Sequence, residues 1–177
     1  MLDLEALLGR IAVKDKDALG LLYNNINKRI YFYILTLVKD ELVAQDILSD
    51  TFMQVWKSAA RFEGRSKAIT WILGIARNLA LKYLSRKRQM ESIDEHYELT
   101  NGKSEEFIER FANLELLQMG LKKLSWKHRE ILQLVFFEGL SYAEVSELLS
   151  IPVNTVKTRV FHAKKALRNL LSKDLKS

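Results

Sequence analysis

The only proline of this chain separates two amphipathic stretches and restricts how that region can fold. Pro152 is the one proline among 177 residues; it forces its neighbour into extended geometry and cannot continue a helix. Upstream, Ser141 and Glu144 have the spacing of a capping box, which begins a helix. We therefore expect a short helix that ends before Ile151, a tight turn, and a second helix from near Val153.

The predicted second helix has one apolar face and one polar face. The apolar stripe repeats every three or four residues, the helical period, at Val156, Val160, Ala163, Leu167 and Leu170. Thr158 and Lys165 lie nearly opposite this stripe. This is the outline of a helix-turn-helix, whose second helix enters the major groove of DNA. An αα-hairpin with a solvated basic face fits an isolated helix pair equally well, so the rest of the chain must decide.

The rest of the chain contains few helix breakers. Seven glycines and one proline are too few for the turns of sandwiches and barrels, so the predicted fold class is all-α. Helical periodicity predicts two small helical domains, at residues 1–88 and 105–177, the second ending in the helix-turn-helix. Between them, residues 89–104 lack this periodicity and are acidic, which predicts a flexible linker. We also expect Asp40 and Ser125 to cap helices, a helix from about Ala68 to Lys87, and a helix from Trp126 to Glu138 ended by Gly139.

Positive charge is concentrated in two stretches of the sequence. Eight basic residues and one acidic residue lie between Arg61 and Arg88, and seven basic residues follow Val153. In the first stretch, Asn78, Lys82 and Arg86 recur at a helical spacing and, with Arg77, could contact phosphates and base edges. The alternative is a helix that carries Lys and Arg for solubility. We expect the neighbouring Trp71 to lie in the core.

Residues that could perform catalysis do not converge anywhere in the sequence. There is no metalloprotease, serine hydrolase, phosphate-loop or dinucleotide-binding motif, so we expect no catalytic residues, no metal and no cofactor. His96, His128 and His162 fall on different predicted elements, which favours solvated or capping roles over a metal site. Asp46 and Asp50 share a helix face, where a solvated surface or a protein contact is favoured over a cation site.

The cellular compartment is predicted from what the sequence lacks. There is no cysteine and no signal peptide at the start. The longest apolar run, Ile30 to Val38, is far shorter than the ~20 residues that span a bilayer. We expect a cytoplasmic protein with no membrane insertion.

Several segments share an order and spacing with one protein family. They are Asp46 to Trp56; then Arg61-Phe62, Trp71-Ile72 and Ile75 to Asn78; and then Leu124, Arg129-Glu130, Glu138 to Tyr142, Ile151-Pro152 and Thr155 to Arg159. Together they resemble the polymerase-clamp, minus-10 and minus-35 segments of the extracytoplasmic-function (ECF) group of bacterial sigma factors, the promoter-specificity subunits of RNA polymerase. The resemblance covers nearly the whole chain.

This resemblance implies a sigma factor with no catalytic activity of its own. Its implied partners are core RNA polymerase, promoter DNA (duplex at minus-35, single-stranded at minus-10) and an anti-sigma factor. The implied polymerase-binding residues are Asp46, Ser49, Asp50, Phe52, Met53, Gln54 and Trp56. The implied minus-10 residues lie in and around a base-capturing loop from Glu63 to Lys67. They are Arg61, Gly64, Arg65, Ser66, Lys67, Arg77, Asn78, Lys82 and Arg86. The implied minus-35 residues are Asn154, Thr155, Lys157, Thr158, Arg159, His162 and Lys165.

Four residues depart from the family pattern, and two other functions compete with this interpretation. Ser49 replaces a usual Gln, Ser125 a usual Pro, Asn154 a usual Gly, and His162 a frequent Arg. A stand-alone helix-turn-helix regulator would explain residues 141–170 but would leave residues 46–56 without a role. A small helical nuclease or nucleotide hydrolase would need a metal or base constellation that the sequence does not contain.

Overall fold

The structure, a computed structural model, describes residues 2–91 and 120–174. Throughout these two ranges the regular secondary structure is helical, with no strand, which confirms the all-α prediction. The chain divides into two compact units, Met1–Thr100 and Asn101–Ser177. Of the predicted linker, residues 89–104, the part from residue 92 to residue 104 lies outside the described residues. No helix of the described ranges is both long enough and apolar enough to cross a membrane.

Four α-helices and a short 3₁₀-helix form the described part of the first unit. They are α1 (Leu4–Ala12), α2 (Lys16–Val38), α3 (Glu41–Ser58), the 3₁₀-helix (Ala59–Arg61) and α4 (Ala68–Glu91). An aspartate precedes each of the first three α-helices. Its carboxylate accepts a hydrogen bond from a first-turn N–H at 3.0 Å for Asp3, 3.1 Å for Asp15 and 3.0 Å for Asp40. These caps satisfy donors with no partner inside the helix, and the predicted cap at Asp40 is confirmed.

Helix α2 is the central helix of the first unit and packs against α1, α3 and α4. Its Leu22, Ile30 and Tyr33 are fully buried together with Val55 from α3 and Ile72 from α4. Burying one such side chain contributes roughly 1.5 to 3 kcal/mol. This core holds α3 and α4, which carry the predicted polymerase and minus-10 residues, in fixed positions within the unit.

Helix α4 continues past the end that the sequence predicts. It extends to Glu91, so residues 89–91, which we assigned to the linker, are helical. The segment from Arg86 to Glu91 consists of Arg, Lys, Gln, Met and Glu, all of which have high helix propensity. The loss of apolar periodicity there marks the end of the packed face and not the end of the helix.

The described part of the second unit contains three α-helices after the end of a preceding helix at residues 120–123. They are α5 (Trp126–Leu132), α6 (Tyr142–Leu149) and α7 (Val153–Asp174). Ser125 caps α5, because its Oγ accepts from the His128 N–H at 3.3 Å. The capping box is also present: the Ser141 N–H donates to Glu144 Oε2 at 2.7 Å, and the Glu144 N–H donates to Ser141 Oγ at 3.2 Å. Both predicted caps are confirmed.

Arg129 connects α5 to the preceding helix end. Its Nη1 donates to the backbone carbonyls of Leu121 at 3.5 Å and Lys122 at 3.4 Å, which lie where a helix leaves carbonyls without intrahelical partners. Burial lowers the pKa of the Arg129 guanidinium because the charged form loses hydration. The side chain nevertheless stays charged at any physiological pH, and these two carbonyls are among the groups that stabilise the buried cation.

The single helix predicted from Trp126 to Glu138 is interrupted. After Leu132 the chain forms a π-helical turn, Gln133–Phe137, in which the Glu138 N–H donates to the Gln133 carbonyl, five residues back, at 2.9 Å. The turn leaves Leu134 buried and exposes Phe136 and Phe137. Over a single turn, the spacing of apolar residues does not distinguish hydrogen bonds made four residues back from hydrogen bonds made five residues back. The sequence therefore did not reveal the π-helical turn. Gly139, at φ 66°, follows this turn.

Candidate nucleic-acid interface

The turn between α6 and α7 sets the direction of the second helix. Ser150 adopts the left-handed conformation, at φ 54°. The Ile151 N–H donates to the Ser146 carbonyl at 3.1 Å, and Ser146 Oγ donates to the Ile151 carbonyl at 2.5 Å. Helix α7 then begins directly after Pro152, whose carbonyl accepts from the Val156 N–H at 3.1 Å. The predicted helix, tight turn and helix are all present.

Burial of the apolar stripe fixes which face of α7 meets solvent. Val156, Val160 and Ala163 are buried, and Leu167 and Leu170 are half-buried. The predicted minus-35 residues Asn154, Thr158 and Lys165 lie opposite this stripe, Thr155, Lys157 and His162 lie on its flanks, and all six are exposed. Arg159 lies at the edge of the stripe and is half-buried. The exposed face of α7 therefore combines an amide, hydroxyls, an imidazole and cations, the groups that bind base edges and phosphates.

An open depression of about 410 Å³ lies beside this face and includes one residue that the sequence analysis did not select. Its lining residues are His128, Asn154, Thr155, Thr158, Arg159 and His162. His128 comes from α5, and sequence analysis gave it only a solvated or capping role. The sequence separates it from α7 by more than twenty residues, so only the packing of α5 on α7 brings these residues together.

The basic loop, residues 63–67, lies between the 3₁₀-helix and α4. Gly64 has φ 69°, a conformation that glycine adopts without the steric cost of a Cβ. Arg65 and Lys67 are exposed, and Ser66 is half-buried. The Arg65 guanidinium lies 2.6 Å from the Glu63 carboxylate, but an ion pair so exposed contributes little to stability. The positively charged Arg65 side chain can therefore turn toward a ligand at a small cost in free energy.

Helix α4 presents a row of polar residues next to this loop. Asn78, Lys82 and Arg86 are exposed and recur every four residues on one face, while Arg77 is half-buried. Trp71 is half-buried and packs against Phe62, with ring centroids 5.4 Å apart. The expected core position of Trp71 is therefore only partly correct, since one part of the ring reaches the surface.

Helix α3 carries the predicted polymerase-binding residues, but they do not all share its surface. Asp46, Ser49, Asp50, Met53 and Gln54 are exposed. Phe52 is only 5% exposed and its ring packs edge-on against Tyr23, with centroids 4.9 Å apart. Phe52 therefore supports the exposed face from beneath and does not form part of it. Trp56 is half-buried, with Lys14 Nζ 4.9 Å from its ring centroid.

The described residues contain no group of three or more His, Asp or Glu side chains close enough to hold a metal ion. What these ranges offer is a polar face on α7, a basic loop, a basic face on α4 and an acidic face on α3. A helix-turn-helix in one unit and a basic helix and loop in another define a DNA-binding transcription protein.

Comparison with known families assigns both units. The family Sigma-70 region 2 matches residues 22–90, and the family Sigma-70, region 4 matches residues 114–167. Together the two matched ranges span more than half of the chain. The region 2 match covers the part of the chain that a stand-alone helix-turn-helix regulator leaves unexplained.

Relatives with known names match over almost the whole chain. The ECF RNA polymerase sigma factor SigK of Mycobacterium sp. (strain JLS) is 28% identical over 96% of this chain and 91% of its own length. SigK of Mycobacterium bovis is 26% identical over 96% of this chain and 94% of its own length.

Two solved structures share the fold. CnrH, solved with the cytosolic domain of CnrY, has a TM-score of 0.71 at 21% identity and covers 96% of this chain and 97% of its own. RpoE of Bartonella quintana, solved with the anti-sigma factor NepR, has a TM-score of 0.65 at 22% identity and covers 86% of this chain and 96% of its own.

The chain belongs to the ECF group of RNA polymerase sigma factors. Its function is accordingly that of a promoter-specificity subunit, which brings core RNA polymerase to particular promoters and starts transcription there. The resemblance seen in the sequence is confirmed, and the stand-alone regulator is not favoured.

Proposed function

We propose that the two units of this sigma factor divide promoter recognition between them. In this proposal, residues 105–177 read the minus-35 element as duplex DNA through the exposed face of α7. Residues 1–88 bind core polymerase and capture the melted minus-10 strand, and residues 89–104 link the two. The observation that carries the proposal is the exposed side of α7, where six of the seven predicted minus-35 residues lie away from a buried apolar stripe.

The side chains on α7 suit contacts with base edges in the major groove and with the neighbouring phosphates. Asn154 has the amide that pairs with adenine, and the threonines offer a methyl group to thymine and a hydroxyl to either base type. Lys157, Arg159 and Lys165 supply the positive charge for phosphates or guanine. Thr158 Oγ1 donates to the Asn154 carbonyl at 3.0 Å, and this bond leaves its acceptor lone pairs available to a base.

The basic loop and the polar row of α4 suit an unpaired strand. Taking a base out of the duplex costs a few kcal/mol, and a positively charged loop beside the displaced strand offsets part of that cost through its phosphates. Asn78, Lys82 and Arg86 would contact bases and backbone next to the loop, with Arg61, Arg65, Lys67 and Arg77 around them.

The exposed face of α3 supplies the proposed polymerase contact. Asp46 and Asp50 are one helical turn apart and both exposed, with Ser49, Met53 and Gln54 on the same side of the helix. Acidic groups around an exposed methionine favour a partner that combines positive charge with apolar surface. We assign this face to core polymerase.

Three further features follow from the sigma-factor role. We propose that the protein acts by binding and strand opening alone, with no catalytic step of its own, and that it works in the cytoplasm, where core polymerase meets the chromosome. We also propose an anti-sigma factor as a third partner, because RpoE of Bartonella quintana, which shares this fold, was solved with one.

Transcription with paired variants and paired promoters tests the division of labour. Thr158→Ala/Lys165→Ala should weaken transcription from the intact promoter, since each lost base contact costs about 1 to 3 kcal/mol. The same variant should equal wild type on a promoter whose minus-35 element is scrambled. Lys82→Ala/Arg86→Ala should remain defective on both promoters.

The control for charge is Lys16→Ala/Lys28→Ala, which removes two exposed lysines of α2 outside both proposed surfaces. This variant should match wild type on both promoters. If the α7 variant were equally defective on the intact and the scrambled promoter, the assignment of α7 to the minus-35 element would be wrong.

A further inference from the structure

Helix α1 precedes the range matched by the region 2 family, residues 22–90, yet residues of α1 and the turn after it reach across the first unit. Glu5 Oε1 accepts a hydrogen bond from the Ala68 N–H at 2.8 Å, over 63 residues of sequence. Lys14 Nζ donates to the Trp56 carbonyl at 2.7 Å and lies 4.9 Å from the centroid of the Trp56 indole.

These two contacts lie on either side of the basic loop. Trp56 belongs to the last turn of α3, before the loop, and Ala68 is the first residue of α4, after it. Helix α1 also packs against the 3₁₀-helix Ala59–Arg61 between them. The segment that leads into the basic loop and the residue that follows it are therefore both held by α1 and its flanking turn.

The contact at Ala68 has a specific physical reason. Helices α1, α2 and α3 each begin after an aspartate that caps them, but the residue before α4 is Lys67, whose side chain has no acceptor. Glu5 supplies from another helix the oxygen that a local cap would provide, together with a negative charge at a helix N-terminus. The start of α4 therefore depends on α1.

We propose that Glu5 is a positioning residue for minus-10 strand capture. Glu5 holds the C-terminal end of the basic loop at the start of α4, and Lys14 holds the segment that leads into the loop at the end of α3. A loop that is already ordered loses less conformational freedom when it binds a flipped base. This inference rests on the proposed role of the basic loop and assigns to α1 a part in promoter opening.

The test compares two affinities of the reconstituted holoenzyme, one for a minus-10 single-stranded oligonucleotide and one for a minus-35 duplex. Glu5→Ala should weaken the first by roughly two- to tenfold, the effect of one lost hydrogen bond, and leave the second unchanged. Glu5→Gln keeps an acceptor oxygen and should recover most of the affinity. Lys14→Met, which removes the other contact, should show the same selective loss as Glu5→Ala.

Asp40→Ala is the matched control, because it removes a cap of the same kind at α3 (3.0 Å to the Val43 N–H), away from the basic loop. It should lower the melting temperature about as much as Glu5→Ala without the selective loss for the minus-10 strand. Equal minus-10 affinity in wild type and Glu5→Ala, or a loss that Asp40→Ala reproduces, would overturn the inference. If the wild-type holoenzyme did not prefer the minus-10 strand over a scrambled one, the role of the basic loop itself would fail instead.

Discussion

Asp15 caps a helix and pairs with a cation, and both interactions favour its ionised form. Its carboxylate accepts from the Ala18 N–H at 3.1 Å and from Arg10 Nε at 2.8 Å. The backbone hydrogen bond from Ala18, followed by the hydrogen bond from Arg10, holds the pKa of this carboxyl below its ordinary value. The folded state therefore binds a proton at Asp15 less readily than the unfolded state does.

This lowered pKa predicts how the stability of the first unit changes with pH. A group whose pKa is lower in the folded state adds stability above its unfolded pKa, about 3.9 for Asp, and loses it as the pH falls through the folded pKa. Asp15→Asn keeps a capping oxygen but cannot ionise. Wild type should therefore melt at a higher temperature than Asp15→Asn at neutral pH, and the difference should shrink as the pH falls below about 4.

Circular-dichroism melts of the full-length wild type and Asp15→Asn, recorded at several pH values, measure this difference. Arg10→Gln removes the ion pair but leaves the cap in place, so it should reduce the pH dependence only in part. A difference in melting temperature that stayed constant through the acid range would contradict the assignment.

At single residues, the sequence predicted exposure well where one helical period decides it. Thr158 and Lys165 were placed on the exposed side of α7 because the apolar stripe, including the buried Val156, Val160 and Ala163, defines the other side, whereas the full minus-35 set came from the family resemblance. The family resemblance included Phe52 among the polymerase-binding residues, and the structure shows its ring buried against Tyr23 from α2. His128 was missed because it joins the α7 face only through packing, which a one-dimensional pattern does not contain.

Among the helices, starts were predicted more accurately than ends. The side chains of Asp40, Ser125 and Ser141 each accept from an N–H three residues further along the chain, so a short stretch of sequence is enough to predict these caps. The end of α4 at Glu91 and the π-helical turn after Leu132 depend on propensity and on wider packing. The start of α4 at Ala68 was predicted, but the hydrogen bond that its first N–H donates to Glu5 was not, because that acceptor lies 63 residues away in the sequence.

The acidic face of α3 predicts that reversing a charge on this helix weakens binding to core polymerase. Asp50→Arg reverses a charge one turn from Asp46, on a surface assigned to core polymerase, and like charges across an interface cost several kcal/mol. We expect the affinity for core to fall by at least about tenfold with the fold unchanged. Fluorescence anisotropy of labelled protein titrated with core polymerase measures this affinity.

Asp17→Arg is the matched control for Asp50→Arg. It makes the same charge change at an exposed position of α2 that belongs to no proposed surface. Its affinity for core should stay close to that of wild type. If Asp50→Arg bound core as tightly as Asp17→Arg does, the α3 face would not be the docking surface.

For the whole molecule, we propose that the two units carry different halves of one task. In this proposal the second unit binds duplex DNA through α7, and the first binds an unpaired strand through its basic loop and α4 and polymerase through the acidic face of α3. We expect core polymerase to set the distance between the two promoter elements. The helix-turn-helix should therefore bind its site poorly when the protein is free and specifically when it is part of the holoenzyme.

Run-off transcription with purified core polymerase provides the decisive measurement. A library of promoter-containing templates is transcribed by core alone and by core with this protein, and the transcript starts are mapped. We predict discrete new start sites that appear only when the protein and core are both present. No new start sites on adding the protein, or a tight and specific shift of duplex DNA by the protein without polymerase, would contradict the assignment of this chain as a promoter-specificity subunit.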